Sequence, residues 1–345
     1  MANETAVVVG AGGISKAWFG PLQAEQVNVR AVVDLDADRA REAIRHWQLD
    51  AEASDDLAAM LRRHRPDFVV DLTVPEAHCA VTCAALEAGC HVIGEKPMAA
   101  SLDEARTMVA AAERTGKLYM VSQSRRWTAN HDRLRRAIAA GRIGRVTTVN
   151  CDFYLGAHFG GFRTEMADPL LLDMAIHHFD LARYWTGQDP VAVYAHAFNP
   201  PGSWYAGNAA AGCIFEMTDG VVFTYCGSWC AEGCPTSWNG DWRIVGTEGT
   251  LLYGGDAAPR GERVAAGPDG SAGQPAGLLA EREPLDVPPS PLEREGMHGA
   301  LAEMLRYLRD GTLPQTECHD NIRSLAMVFA ALDSARGRTR VEVAT

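Results

Sequence analysis

The sequence predicts an α/β protein in which a doubly wound parallel sheet is followed by a second domain with its own sheet. Over residues 1–123, short apolar strands alternate with helix-compatible segments, and such alternation requires right-handed crossovers between parallel strands. Over residues 124–345, strand-like segments follow one another with fewer helices between them, which indicates an α+β domain. With 345 residues, of which 47% are hydrophobic, the chain is long enough for two domains.

The elements of the first domain are predicted from hydrophobic periodicity and from start and stop signals. Ser101-Leu102-Asp103-Glu104 is a capping box that begins a helix ending near Thr115. The first helix is predicted to end at Pro21. The predicted strands are residues 5–9, 27–33, 67–72, 91–94 and 118–122, and the other helices are residues 36–46, 54–64 and 75–88.

A glycine turn, Gly10 to Ser15, follows the first strand and precedes the first helix. Glycines let the backbone approach a pyrophosphate, whose charge is met by N–H groups at the helix N-terminus. Asp34 ends the second strand, 24 positions after Gly10, where a carboxylate can bind the ribose hydroxyls of an adenosine. The pattern predicts a Rossmann domain over residues 1–123 that binds NAD, with NADP as the alternative because Ser15 and Lys16 are nearby as phosphate contacts. The predicted cofactor contacts in this turn and strand are Gly10, Gly12, Gly13, Ile14 and Asp34.

Further polar residues follow the other parallel strands, beyond whose carboxyl ends ligands bind in such sheets. Lys96 comes directly after a strand and is held by a following proline, so we interpret it as a functional lysine rather than a surface charge. The cofactor contacts predicted along this edge are Thr73, Pro75, His78, Glu95 and Lys96.

The segment from Asp168 to Gly187 predicts one buried helix of about five turns, capped by Asp168 and ended by Gly187. Asp173, His177, Asp180 and Tyr184 share one stripe of this helix, and apolar side chains occupy almost all the rest of its circumference. Buried polar side chains need partners, so they either face a polar ligand or satisfy backbone groups.

The second domain, residues 124–345, is predicted to contain a second sheet with a hairpin at residues 218–220. In residues 212–217 and 221–225, apolar residues occur at both odd and even positions, so both faces of these strands carry apolar side chains. One face is therefore expected to pack against the helix at 168–187 and the other against a second subunit, giving a homo-oligomer, either a dimer or a tetramer. Residues 255–294, rich in Gly, Pro and Ala, are predicted as a loop. The predicted strands are residues 142–155, 191–198, 210–217, 221–229 and 242–253, and the closing helices are residues 295–309 and 318–336.

These motifs together resemble the Gfo/Idh/MocA family of NAD(P)-dependent oxidoreductases, which act mainly on sugars, inositols and related polyols. The most specific of them are Glu95-Lys96-Pro97 and the pair Asp173 and His177. The resemblance implies that the second domain is an open, mostly antiparallel sheet. It also implies that Lys96, Asp173 and His177 are catalytic and converge on the substrate, and that Lys96-Pro97 is a cis peptide.

The predicted function is hydride transfer between a nicotinamide cofactor and a secondary alcohol of a sugar, inositol or related polyol. In this hypothesis His177 is the general acid/base, Asp173 binds a substrate hydroxyl or orients the imidazole, and Lys96 stabilises the developing alkoxide. His178 is interpreted as a packing residue. Arg163 could pair with a sugar acid or brace its loop. The predicted substrate contacts are Arg126, Trp127, His158 and Arg163.

Three alternatives remain open from the sequence. The same scaffold could be a glycosidase with tightly held NAD, or a non-catalytic sugar or nucleotide sensor. Asp173 and His177 could also bind a metal, although no third ligand is evident, and we predict no metal site. Cys226, Cys230 and Cys234 are evenly spaced, but they run from a strand into a loop where such spacing does not bring thiols together.

Charge and composition limit the partners that we expect. The formal net charge of -12 argues against nucleic acid. No apolar run approaches the roughly 18 residues of a membrane-spanning helix, and no basic and apolar signal segment precedes the first strand. We therefore predict a cytoplasmic protein that has no nucleic-acid or membrane partner.

Overall fold

The computed structural model describes residues 3–265 and 278–345, in which the chain divides into two compact units. Of these residues, the first unit comprises 3–127 and 293–325 with residue 345, and the second comprises 128–265, 278–292 and 326–344. This division differs from the one predicted from the sequence, because residues 293–325 belong to the first unit. The predicted second domain had included them.

The first unit contains a six-stranded parallel sheet with the order β3-β2-β1-β4-β5-β6. This is the doubly wound order in which the direction of winding reverses between β1 and β4, and it confirms the predicted fold class. The strands are β1 (Thr5–Val9), β2 (Asn28–Val33), β3 (Glu52–Ser54), β4 (Phe68–Asp71), β5 (His91–Glu95) and β6 (Tyr119–Ser122). The helices between them are α1 (Lys16–Ala24), α2 (Ala37–Trp47), α3 (Leu57–His64), α4 (Pro75–Glu87) and α5 (Leu102–Thr115).

The second unit contains an open nine-stranded sheet with the order β14-β13-β12-β11-β7-β10-β9-β8-β15. All neighbouring pairs are antiparallel except β7 and β10, which confirms a mostly antiparallel sheet. The strands are β7 (Val146–Tyr154), β8 (Pro190–Phe198), β9 (Ala210–Met217), β10 (Val222–Ser228), β11 (Asp241–Gly246), β12 (Gly249–Tyr253), β13 (Arg260–Val264), β14 (Arg282–Leu285) and β15 (Val341–Glu342).

The remaining helices are α6 (Ala129–Ala139), the short α7 (Phe162–Glu165), α8 (Ile176–Thr186), α9 (Gly296–Asp310) and α10 (Cys318–Gly337). Phe179 of α8 contacts the rings of Phe215 and Tyr225, with centroids 4.8 and 5.3 Å apart. Helix α8 therefore covers one face of the second sheet, as predicted. In the first unit, α9 contributes Leu301, Met304 and Leu305 to the core, and all three are fully buried.

Four predicted boundaries are wrong for local reasons. Helix α1 continues through Pro21, because Trp18, Phe19 and Leu22 are fully buried and this packing outweighs one lost backbone hydrogen bond. Residues 242–253 form the two strands β11 and β12, since a turn separates them after Gly246. Residues 255–294 include β13 and β14 in place of a continuous loop, and residues 266–277 of that prediction lie outside the described part of the chain.

The predicted helix at 168–187 is also divided. Leu170–Ala175 form a π-helical segment and α8 follows it, so Asp173 lies in the wider turn. The side chain of Asp168 does not cap this helix. Instead it accepts hydrogen bonds from Asn208 (2.8 Å) and Arg336 (3.3 Å). Gly187 ends the helix in the left-handed conformation (φ 67°), as predicted.

Replacing Ser101 tests the predicted capping box, because the Ser101 hydroxyl accepts the Glu104 N–H at 3.2 Å. We expect Ser101→Ala to lower the free energy of unfolding by about 1 kcal/mol. The matched variant Ser101→Asp, which keeps an acceptor at the cap, should stay near wild type. Urea denaturation of both variants measures the difference, and equal loss in both would contradict the capping role.

Candidate functional site

The glycine turn between β1 and α1 depends on a close backbone approach at Gly10. Its φ is +96°, and a Cβ there would lie 2.6 Å from the carbonyl oxygen of Leu72. By contrast, a Cβ on Gly12 or Gly13 would meet nothing within 4 Å, so the backbone of these two glycines is open to a ligand. Ser15 is buried, and its hydroxyl donates to the Gly12 carbonyl at 2.7 Å. The Ser15 side chain thus closes the turn.

Asp34 connects the end of β2 to the glycine turn. One carboxylate oxygen accepts the Ala11 N–H at 2.8 Å, and the other accepts the Asp36 N–H at 3.0 Å. The sequence had suggested only a ribose contact for this residue. The structure adds a role for Asp34 in positioning the turn. Ile14, another residue of the turn, is 38% exposed.

The segment after β4 is organised by Asp71, which the sequence analysis did not single out. One Asp71 oxygen accepts the Thr73 hydroxyl at 2.6 Å and the Thr73 N–H at 3.1 Å. Pro75 is the first residue of α4. His78, one turn into that helix, lies 2.9 Å through Nδ1 from the Pro97 carbonyl and 3.2 Å through Nε2 from the Thr73 carbonyl. His78 is therefore linked to the segments after both β4 and β5.

Glu95 ends β5 and is buried beneath the segment that carries Lys96. Its carboxylate accepts the Trp18 indole N–H at 2.8 Å and the Lys96 N–H at 3.2 Å. Burial raises the pKa of Glu95, and the Trp18 hydrogen bond and the Lys96 charge act in the opposite direction. Lys96 is partly buried, and the Lys96-Pro97 peptide is cis, as the resemblance implied.

Two predicted substrate contacts are packed inside the first unit. Arg126 is buried and binds the Gln315 carbonyl (2.8 Å) and Asp320 (2.7 Å). Trp127 is 2% exposed and packs against α9, where a Cβ on Gly299 would lie 2.5 Å from the Trp127 Cβ. These contacts give both residues a structural role. Their role as substrate contacts stays a prediction.

In the second unit, Arg163 and Asp173 come together. The Arg163 Nε lies 2.5 Å from an Asp173 carboxylate oxygen, and the guanidinium stands over the rings of Phe159 (5.1 Å) and Phe162 (4.7 Å). Arg163 therefore pairs with Asp173, a contact that neither of the two roles left open from the sequence had named. Charge-assisted hydrogen bonds of this kind are among the stronger ones in proteins.

The two adjacent histidines of α8 differ in their surroundings. His177 is partly exposed, whereas His178 is fully buried against Phe153 (4.8 Å) and Tyr225 (5.5 Å). The prediction that His178 is a packing residue is confirmed. Of the two, only His177 has the access to solvent that a proton-transfer group needs.

His158 lies on an exposed aromatic surface of the second unit. Its ring stacks on Trp204, with centroids 3.7 Å apart, and its Nε2 lies 2.8 Å from Glu232. The indole N–H of Trp204 donates to the Ala157 carbonyl at 3.0 Å. Glu232 was not predicted as a site residue, since an isolated acid in a loop belongs to no motif.

Potential metal ligands cluster elsewhere. Over residues 3–265 and 278–345, the cluster found consists of Glu317, Cys318 and His319. It includes neither Asp173 and His177 nor the three evenly spaced cysteines. Among the helices that the structure describes, none has the length and apolar character to cross a membrane.

Comparison with known proteins matches both parts of the chain. Residues 5–123 match the model of an oxidoreductase family with an NAD-binding Rossmann fold, GFO_IDH_MocA, and residues 131–252 match a C-terminal domain of the same family. The chain is 30% identical over 326 residues to the D-apiose dehydrogenase of Paraburkholderia graminis, covering 90% of this chain and 81% of that protein. It is 26% identical to the 1,5-anhydro-D-fructose reductase of Ensifer adhaerens, covering 98% of each.

A solved structure has the same fold. An oxidoreductase from Agrobacterium radiobacter, in complex with NAD+, L-tartaric acid and magnesium, superposes with a TM-score of 0.84 at 22% identity and covers 99% of both chains. The part of the chain that matches the family model thus includes the glycine turn, Asp34 and the Glu95-Lys96-Pro97 segment. The chain belongs to the Gfo/Idh/MocA family and is an NAD(P)-dependent oxidoreductase with an NAD-binding Rossmann fold.

Proposed function

We propose that this chain transfers a hydride between NAD and a secondary alcohol of a sugar, inositol or related polyol. The observation that carries the proposal is the polar cluster in the second unit, where Arg163 pairs with Asp173 and its guanidinium stands over the rings of Phe159 and Phe162. Aromatic faces beside a few fixed polar groups suit sugar rings. The relatives named for D-apiose and 1,5-anhydro-D-fructose support this substrate class.

The residues of the first unit fit a dinucleotide. Gly12 and Gly13 leave space beside their Cα atoms, and the N–H groups that begin α1 follow directly, so a pyrophosphate could be met by backbone donors. Asp34 offers a carboxylate suited to ribose hydroxyls and would repel a 2'-phosphate, which favours NAD over NADP. When bound, NAD supplies the hydride acceptor or donor.

We assign the proton transfer to His177, because it is the partly exposed histidine of α8. Asp173, fixed by Arg163, would hold a substrate hydroxyl or orient the His177 imidazole. Lys96 would stabilise the negative charge that develops on the alcohol oxygen.

We also propose that the chain forms a homo-oligomer, a dimer or a tetramer, through the exposed face of the second sheet. Several large apolar side chains on adjacent strands face solvent there. Tyr194 of β8 pairs in register with Ile214 of β9. Exposed apolar groups in a patch of this kind mark interaction sites. The residues concerned, with their exposed fractions, are Tyr194 (51%), Phe198 (44%), Ile214 (51%) and Val222 (37%).

A cytoplasmic location stays part of the proposal. All nine cysteines are free thiols, and unpaired cysteines are usual in proteins of reducing compartments.

A substrate screen tests the proposed activity. With NAD, at least one polyol or aldose should give net reduced nicotinamide, measured by its absorbance, and NADP should support slower turnover because of Asp34. The Lys96→Met/His177→Ala double variant is the control for background reduction. Sugar-dependent bond cleavage without net reduced cofactor would instead support the glycosidase alternative.

A double-mutant cycle tests whether Lys96 and His177 serve one reaction. His177→Ala should lower kcat by roughly 100- to 10,000-fold, because a positioned acid/base is lost. Adding Lys96→Met should then cost much less than it does alone, since residues that act as a unit are not additive. His178→Phe, which alters a neighbouring buried ring, controls for disruption of α8. Near-wild-type kcat in either single variant would reject its role.

Light scattering tests the oligomer. We expect the wild-type mass to be a multiple of the chain mass, and Ile214→Glu to shift it towards the monomer because a charge would be buried in the interface. Leu35→Glu also replaces an exposed apolar residue by glutamate, but in the first unit, where Leu35 is 97% exposed. This control variant should leave the mass unchanged. A monomeric wild type would remove the proposal.

A further inference from the structure

His78 is buried between two segments that carry predicted site residues. It is 2% exposed, and its two ring nitrogens lie 2.9 Å from the Pro97 carbonyl and 3.2 Å from the Thr73 carbonyl. Pro97 follows Lys96 directly, and Thr73 ends the turn after β4. The imidazole thus joins the segment after β4 to the segment that bears the proposed catalytic lysine.

Both partners of the His78 ring are carbonyl oxygens, which accept hydrogen bonds and cannot donate them. A neutral imidazole has one N–H and could satisfy only one carbonyl, leaving a ring lone pair facing the other. Two hydrogen bonds require a proton on each nitrogen. The geometry therefore calls for an imidazolium ion in a buried position.

A buried cation needs a compensating charge nearby. Asp71, at the end of β4, accepts from Thr73 and from the Thr82 hydroxyl (3.1 Å), so its oxygens face donors. Burial raises the pKa of Asp71, and the charge of His78 and the Thr73 hydrogen bonds act against that rise. Burial is the larger of these influences on the pKa of Asp71, whereas the His78 charge and the Thr73 and Thr82 hydrogen bonds favour the carboxylate. Among the other charged groups, Glu95 interacts electrostatically with His78 and with Lys96, and Glu104 in the first turn of α5 interacts with Cys79, which follows His78 in α4.

We propose that His78 carries a proton on both ring nitrogens at neutral pH, balanced by Asp71, and is a positioning residue for Lys96. It holds the Lys96-Pro97 segment at a fixed distance from the Thr73 segment. The consequence for turnover rests on the proposed function of Lys96, whereas the protonation state does not.

The protonation state is tested by long-range 1H–15N correlation NMR of histidine-labelled protein at pH 7. His91 is the internal control, because its Nδ1 accepts the Leu118 N–H at 2.8 Å and burial lowers its pKa to about 4. His91 should show one protonated and one bare nitrogen, and His78 two protonated nitrogens. His78→Gln and His91→Gln assign the signals. A bare nitrogen on His78 would overturn the proposal.

The positioning role is tested by steady-state kinetics of His78→Gln, whose amide keeps a donor without the charge, and of His78→Phe, which keeps a ring without donors. Loss of hydrogen bonds from a charged group should lower kcat by about 10- to 100-fold, more in Phe than in Gln, with the KM for the polyol unchanged. Equal kcat in wild type and His78→Gln would contradict the role. If both ring nitrogens of His78 are protonated but the wild-type protein shows no turnover, the proposed function is refuted and the proposed protonation state is not.

Discussion

The first unit depends on how closely the backbone at Gly10 passes the end of β4. Any side chain there would collide with the Leu72 carbonyl, and φ is +96°. The Gly10 N–H also donates to the Val33 carbonyl at 2.7 Å, so one residue contacts the ends of both neighbouring strands. Because β1 lies between β2 and β4, this contact sets the spacing from Asp34 at one strand end to Thr73 at the other.

Carboxylates fix the chain at the ends of three strands of the parallel sheet. Asp34 follows β2 and accepts the N–H of Ala11 in the turn after β1. Asp71 ends β4 and Glu95 ends β5, and each accepts an N–H from the segment that follows its own strand, from Thr73 and Lys96 respectively. Burial raises the pKa of both Asp71 and Glu95, so these buried acids carry a desolvation cost. Their hydrogen bonds offset that cost, and together they hold the edge where the cofactor and Lys96 are assigned.

Strong local signals made most of the fold predictable, and their absence explains the rest. Thr5–Val9 and Ala210–Met217 match the predicted strands because apolar runs and turn residues bound them. The strands β3 and β13 were missed, since one has three residues and the other, Arg260–Val264, has no buried face. The packing of Trp127 against Gly299 depends on residues 172 positions apart in the sequence, and the π-helical register around Asp173 leaves no pattern in composition.

The pairing of Arg163 with Asp173 bears on the kind of ligand that the second unit accepts. The sequence left open whether Arg163 pairs with a sugar acid or braces its loop, and the 2.5 Å contact shows that its charge is already matched. A carboxylate ligand would have to approach the Asp173 charge or displace it, at an electrostatic cost. A neutral hydroxyl could accept from the guanidinium without separating the pair. The charge balance at Asp173 therefore favours an uncharged polyol over a sugar acid.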